Sequence, residues 1–119
     1  MKRVLLIGRG PLPSAIEPQL GFSQLRTAAF HTALQRAGHE VRLILLVPDA
    51  GKPSIPSTWS GVVPIQEEGP GWIDHARTIK HGADIIVSAG PYNPGRLATS
   101  IAEDEPLWID VPGDPLSEL

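Results

Sequence analysis

The sequence predicts a three-layer α/β domain in which helices cover both faces of a parallel sheet of about five strands. Short aliphatic runs, which suit strands buried on both faces, alternate with segments whose apolar residues recur at helical spacing. The opening unit shows this best, since an aliphatic run at 3–7 is followed by a loop, a helix at 22–37 and a second run at 41–47. Such alternation indicates parallel strands joined by right-handed helical crossovers.

The strand order that this succession predicts is 3-2-1-4-5, the order of a doubly wound, Rossmann-like sheet. In such a sheet the connections leave strand 1 in opposite directions, and ligands bind at the carboxyl ends of the strands where the order reverses. That switch point lies between strands 1 and 4. It predicts that the loops at 8–13 and 89–94 line one crevice.

Helix 1, predicted at 22–37, follows a loop from Gly8 to about Gly21, whereas about two to six residues is usual for such a connection. Gly21 or Ser23 is expected to cap its start and Gly38 to end it in a left-handed conformation. His31, near the middle of the helix, is expected at the surface or half-buried. The apolar residues form two rows that predict the face laid on the sheet: Phe22, Leu25 and Ala29, then Phe30, Leu34 and Ala37.

The second half of the chain continues the same alternation. Pro64 lies within strand 3 and indicates that this strand is at an edge of the sheet, because proline cannot donate to a ladder. The predicted elements are strand 2 at 41–47, strand 3 at 61–66, helix 2 at 72–80, strand 4 at 84–88, helix 3 at 96–103 and strand 5 at 106–111.

Composition excludes several classes of function. The chain has 119 residues, one domain's worth, and no cysteine, which rules out disulfides and thiolate metal sites. A formal charge of −3 argues against a nucleic-acid partner. No apolar run approaches the about 18 residues of a transmembrane helix, and the expected location is cytoplasmic.

The loop after strand 1 does not carry a dinucleotide fingerprint. Gly8 and Gly10 have the spacing of its first two glycines, but Pro13 occupies the third position and the helix begins about ten residues later. Gly51-Lys52 is not a phosphate loop, because Pro53 follows where a magnesium-binding serine or threonine is needed. A phospho-receiver domain would need acids directly after strand 1, where none is present.

The remaining polar clusters favour structural interpretations. No two of the four histidines are spaced as metal ligands on a helix, so neither a metal nor a cofactor is predicted. The acidic run at 103–105 is expected to be a solvated loop. Asp114-Pro115 has the form of a helix start, so the chain is expected to be a fragment of a longer protein.

Two charged residues have positions that suit a ligand site. Arg26 lies in an early turn of helix 1, where a cation beside free backbone N–H groups suits an anion. Asp110 falls at the carboxyl end of strand 5, where ligand-contacting residues collect. For each residue a purely structural role, such as a salt bridge, remains an equal alternative.

The run at 25–44, with Arg26 on the helix and Gly38-His39-Glu40-Val41 before strand 2, resembles the amino-terminal domain of GT-B glycosyltransferases. The runs at 84–88 and 106–115 look like later parts of that domain. The resemblance therefore extends over most of residues 1–119. It departs from the family in the prolines of the first loop and in lacking a doubled glycine there.

The resemblance implies that this domain binds the acceptor, while a carboxyl-terminal domain, missing here, holds the nucleotide-sugar donor. The chain alone is then expected to be inactive. By the same resemblance Asp110 is the candidate acceptor base. The expected substrate-binding residues are Gly8, Gly10, Gly21, Ser23 and Arg26.

Two alternatives stay open. The run at 18–22, together with the Gly38-His39 helix end, also resembles cobalamin-binding domains of radical enzymes. Cobalt ligation by histidine is excluded, since Asp74 and His75 are adjacent rather than spaced as that motif requires, but binding without a protein ligand is not. The third interpretation is an α/β interaction domain with no ligand of its own.

Overall fold

The structure is a computed structural model that describes residues 1–9, 22–48 and 59–110, with the side chains of 22–25 excepted. Predictions that concern 10–21, 49–58 and 111–119, including the loop glycines Gly10 and Gly21 and the helix start at Asp114, lie outside these ranges. The elements in chain order are β1 (Arg3–Arg9), α1 (Phe22–Arg36), β2 (Glu40–Val47), β3 (Val62–Gln66), α2 (Trp72–Ile79), β4 (Ile85–Ser88), α3 (Asn93–Ile101) and β5 (Leu107–Ile109).

The five strands form one parallel sheet in the order β3-β2-β1-β4-β5, as the sequence predicts. The central strand β1 pairs with β2 through Leu6 and Leu43 and with β4 through Leu6 and Val87. β3 lies at one edge, so Pro64 occupies the edge position expected of it.

Two clusters of buried apolar residues, one on each face of the sheet, form the core between the sheet and its helices. On one face Leu5, Ile7 and Ile44 pack against α2 and α3, with Trp72 and Leu97 among the buried contacts. The other face carries a second cluster that packs partly buried side chains of α1. Its strand residues alternate with those of the first face, as the pleat requires: Val4, Leu6, Leu43, Leu45 and Val87.

The predicted apolar stripe on α1 is wrong in part. Phe30 and Leu34 do pack against the sheet, but Ala29 and Ala37 are exposed. The most buried α1 side chains among those described are Thr27 and His31, one turn apart. His31 is therefore buried rather than half-exposed, because the helix lies on the sheet with this polar row innermost.

Helix α3 begins three residues earlier than predicted. Pro94 lies in its first turn, where a backbone N–H has no partner within the helix, so the missing N–H of proline costs nothing. This favours a helix that begins before Pro94 over the predicted start after Gly95. β5 is shorter than predicted, at three residues. Gly38 has a φ of 87° and ends α1 in the left-handed conformation expected.

The acidic run at 103–105 is not simply solvated. Lys80, nearly buried at the end of α2, donates to the carbonyl of Ile101 at 2.8 Å and pairs with Glu105 at 3.0 Å and Glu103 at 3.3 Å. Burial opposes the charge of Lys80, but hydrogen bonds and charges from Glu105 and Glu103 outweigh it and raise its pKa. Backbone N–H groups of Glu103 and Glu105, then Lys80, lower the pKa of Glu105 to about 2.

Candidate functional site

The carboxyl ends of the strands form one edge of the sheet, here called the carboxyl edge, which contains Gly8, Ser88 and Asp110. Asp110 directly follows β5 and its N–H donates to the carbonyl of Ser88 at 2.9 Å. The N–H of Ala89 donates to the carbonyl of Ile7 at 2.8 Å. These bonds continue the ladder past the strands and fix the backbone of β1, β4 and β5 at the switch point.

Arg26 and Asp110 form an ion pair at this edge. Nη2 of Arg26 donates to Oδ2 of Asp110, although the residues are 84 positions apart in the sequence. Both side chains are largely withdrawn from water, at 28% and 18% exposed. A charge-assisted hydrogen bond in such surroundings holds both groups in defined positions. The two charged residues singled out from the sequence therefore meet.

Gly8 is explained by packing. A Cβ atom built on Gly8 would lie 2.3 Å from Oγ1 of Thr27, which is fully buried. Glycine at this position lets α1 approach β1 closely beside the Arg26–Asp110 pair. A direct role of Gly8 toward a ligand is thus not needed to account for its presence.

The other predicted binding residues are not described as side chains. Gly10 and Gly21 fall outside the described residues, and Ser23 lies in the first turn of α1 without a described side chain. What the structure brings together from the predicted set is therefore Gly8, Arg26 and Asp110.

Two further ion pairs lie at the carboxyl edge, on the face that carries α2 and α3. Arg9, at the end of β1, donates a hydrogen bond from Nη2 to Oε2 of Glu67 at 3.0 Å, and its Nε lies 2.9 Å from Oε1 of the same carboxylate. Arg96 on α3 contacts Glu68 at 3.2 Å. The sequence signal for these was the acidic pair that directly follows strand 3, which was not singled out.

The loop after β4 contributes a second close approach of backbone. A Cβ on Gly95 would lie 3.0 Å from the carbonyl oxygen of Gly90 and 3.3 Å from Ile109. The buried Ser88 hydroxyl donates to the same carbonyl at 2.6 Å. α3 is thereby held against the ends of β4 and β5.

His31 is a buried titratable residue on α1, the helix that also carries Arg26. Its ring lies 4.3 Å from that of Trp59, and its buried Nε2 has no hydrogen-bond partner within the described part of the chain. Burial lowers the pKa of His31, which favours the neutral imidazole. Its surroundings are those of a packed aromatic ring rather than of a proton-transfer group.

Within the described ranges no three histidine, aspartate or glutamate residues are grouped as a metal site would need. None of the helices described is both long and apolar enough to cross a membrane. Comparison of the chain with protein-family models, with curated proteins and with solved structures found no significant match. The functional argument therefore depends on the fold and on the chemistry of the carboxyl edge.

Proposed function

We propose that this chain is the acceptor-binding half of a GT-B glycosyltransferase, which moves a sugar from a nucleotide-sugar donor to an acceptor. The observation that carries the proposal is the contact of Arg26 with Asp110 at the carboxyl edge, beside the switch point of a 3-2-1-4-5 sheet. Ligands of doubly wound sheets bind at this place. The resemblance of the chain to the amino-terminal domain of that family supplies the reaction.

In this proposal Asp110 is the base that takes the proton of the acceptor hydroxyl. The hydroxyl oxygen then bonds to the anomeric carbon of the donor sugar while the bond from that carbon to the leaving phosphate breaks. Arg26 holds Oδ2 of Asp110 and so directs the carboxylate.

In GT-B enzymes the donor is gripped mainly by the second domain. We therefore expect purified residues 1–119 to lack transferase activity with any nucleotide-sugar. Turnover by this chain alone would contradict the division of labour proposed.

The decisive experiment assays the full open reading frame, with whatever follows residue 119, against a panel of nucleotide-sugars. Asp110→Asn should reduce kcat by about a hundredfold or more while leaving KM for the donor nearly unchanged. Glu105→Gln, a carboxylate replacement outside the carboxyl edge, is the matched control and should keep activity. Equal activity of the wild type and Asp110→Asn would refute the assignment of the base.

A second experiment asks whether Arg26 binds an anion. If it does, a nucleoside diphosphate should raise the melting temperature of the chain, and Arg26→Ala should abolish the rise. Arg36→Ala, at the far end of the same helix, is the control. No rise in the wild type would mean that Arg26 has a structural role and does not bind the anion.

A further inference from the structure

A cavity of about 240 Å³ lies at the opposite edge of the sheet, where the strands begin. Its walls come from the first residues of β1 and β2 and from the turn between α2 and β4. This edge, here called the amino edge, is separated from the Arg26–Asp110 pair by the length of the strands. The volume is below that of typical drug-sized sites but is many times what one water needs.

The cavity has an excess of positive charge, although the chain as a whole is negative. Arg3 and Arg42 line it together with His81, and among the described lining residues Glu40 is the sole acid. Arginine stays charged at any ordinary pH. The two arginines of the lining therefore attract an anion.

Both guanidinium groups retain donors for a ligand. Nη1 of Arg42 donates to the carbonyl of Ile79 at 2.6 Å, a terminal carbonyl of α2, and this contact fixes the side chain. Nε of Arg3 lies 3.3 Å from Glu40, and both of these side chains are more than half exposed. A guanidinium has five N–H donors, and each of these contacts uses only one.

The nearby acid Asp84 is not among the described lining residues. Its Oδ2 accepts a hydrogen bond from the backbone N–H of Arg3 at 2.8 Å. A Cβ on Gly82 would lie 3.5 Å from Nη1 of Arg3, an ordinary van der Waals distance, so this guanidinium lies beside the turn between α2 and β4.

The rest of the lining is apolar. Ile79 and Ala83 are both partly buried, and both line the cavity beside the charged groups. An inorganic ion would leave this surface uncovered, whereas a ligand with an apolar part would cover it.

We propose that the amino-edge cavity binds a small organic anion, a carboxylate or phosphate monoester with an apolar part. Arg3 and Arg42 bind the anionic group, and Ile79 and Ala83 contact the apolar part. This site is independent of the proposed transferase reaction, and the two can fail separately.

The test is an NMR titration of the ¹⁵N-labelled chain with phenyl phosphate and with benzoate. Saturable shifts should be confined to amides at 3–5, 40–42 and 79–83. Benzyl alcohol, which has the ring without the charge, and inorganic phosphate, which has the charge without the ring, should each bind about tenfold more weakly or worse. Shifts centred on Arg26 and Asp110, or none with either anion, would overturn the proposal.

Arg3→Gln should weaken binding of phenyl phosphate about tenfold without affecting folding, since its pair with Glu40 is exposed. Arg42→Gln should weaken it similarly, and its loss of the contact with Ile79 makes Arg3→Gln the safer variant. Arg36→Gln removes an exposed arginine outside the cavity and should bind like the wild type. Unchanged affinity in Arg3→Gln, or tight binding of benzyl alcohol, would refute an anion site.

Discussion

The arginines at the two edges of the sheet have different partners. At the carboxyl edge, Arg26, Arg9 and Arg96 each contact an acid from another element. At the amino edge, Arg3 pairs with Glu40 at an exposed contact, and Arg42 donates to the backbone carbonyl of Ile79. A ligand at the carboxyl edge must compete with the largely enclosed Arg26–Asp110 pair, whereas an anion at the amino edge competes with an exposed pair and a backbone carbonyl.

The difference also concerns how the elements are fastened. At the carboxyl edge, α1 is fastened by the close contact of Gly8 with Thr27 and by Arg26–Asp110. At the amino edge, the end of α2 is fastened to the segment before β5 by Lys80 with its two glutamates. A steric overlap in a packed core lowers stability at any pH, whereas the contribution of an ion pair depends on its burial and on the pH. Substitutions at the two edges should therefore differ in size and in pH dependence.

The largest effect is expected from Gly8→Ala. The added Cβ would overlap the buried Thr27, and we expect a loss of about 3 kcal/mol of unfolding free energy. Gly90→Ala is the control, since no described atom lies within 4 Å of its Cβ position. Urea denaturation of both variants measures this. Equal stabilities would show that α1 shifts away from β1 without cost.

Lys80→Met should come next, with a loss of about 2 kcal/mol, because Glu105 would lose its cation in a largely enclosed position. The methionine fills the space of the lysine stem. Lys2→Met, which replaces an exposed lysine, should be nearly neutral. Matching stabilities for Lys80→Met and the wild type would mean that the amino edge is fastened by packing alone.

Lowering the pH should reduce the free energy of unfolding by less than Lys80→Met does, because Glu103 still pairs with Lys80 when Glu105 is protonated. The folded pKa of Glu105 is about 2, below its unfolded value of 4.5. Its contribution is thus complete above pH 4.5 and is lost as pH falls toward 2. Glu105→Gln should flatten the pH dependence of the melting temperature in that window. An unaltered slope would contradict a lowered pKa for Glu105.

The smallest effect is a difference in coupling between two ion pairs. A double-mutant cycle of Arg26→Gln with Asp110→Asn should give about 1 kcal/mol, because both side chains are largely withdrawn from water. The same cycle for Arg3→Gln with Glu40→Gln should give close to zero at this exposed pair. Equal coupling energies would show that the ion pairs at the two edges do not differ in strength.

The sequence by itself determined the fold class and the strand order. Aliphatic runs buried on both faces, helical spacing between them and right-handed crossovers leave few arrangements of five parallel strands. It also placed Asp110 at the end of β5 and Arg26 in an early turn of α1, because both positions follow from local pattern. The reaction assigned to them is an inference from resemblance and stays a prediction.

Only the tertiary structure decided which polar groups meet. Periodicity marks a helix face but not its rotation on the sheet, so the inward position of Thr27 and His31 was missed. The Lys80–Glu105 contact joins the end of α2 to the segment before β5. Local sequence pattern does not predict such a contact, so the acidic run was expected to be a solvated loop. The amino-edge cavity likewise depends on how α2 ends over β1 and β2, a packing distance that no local spacing in the chain encodes.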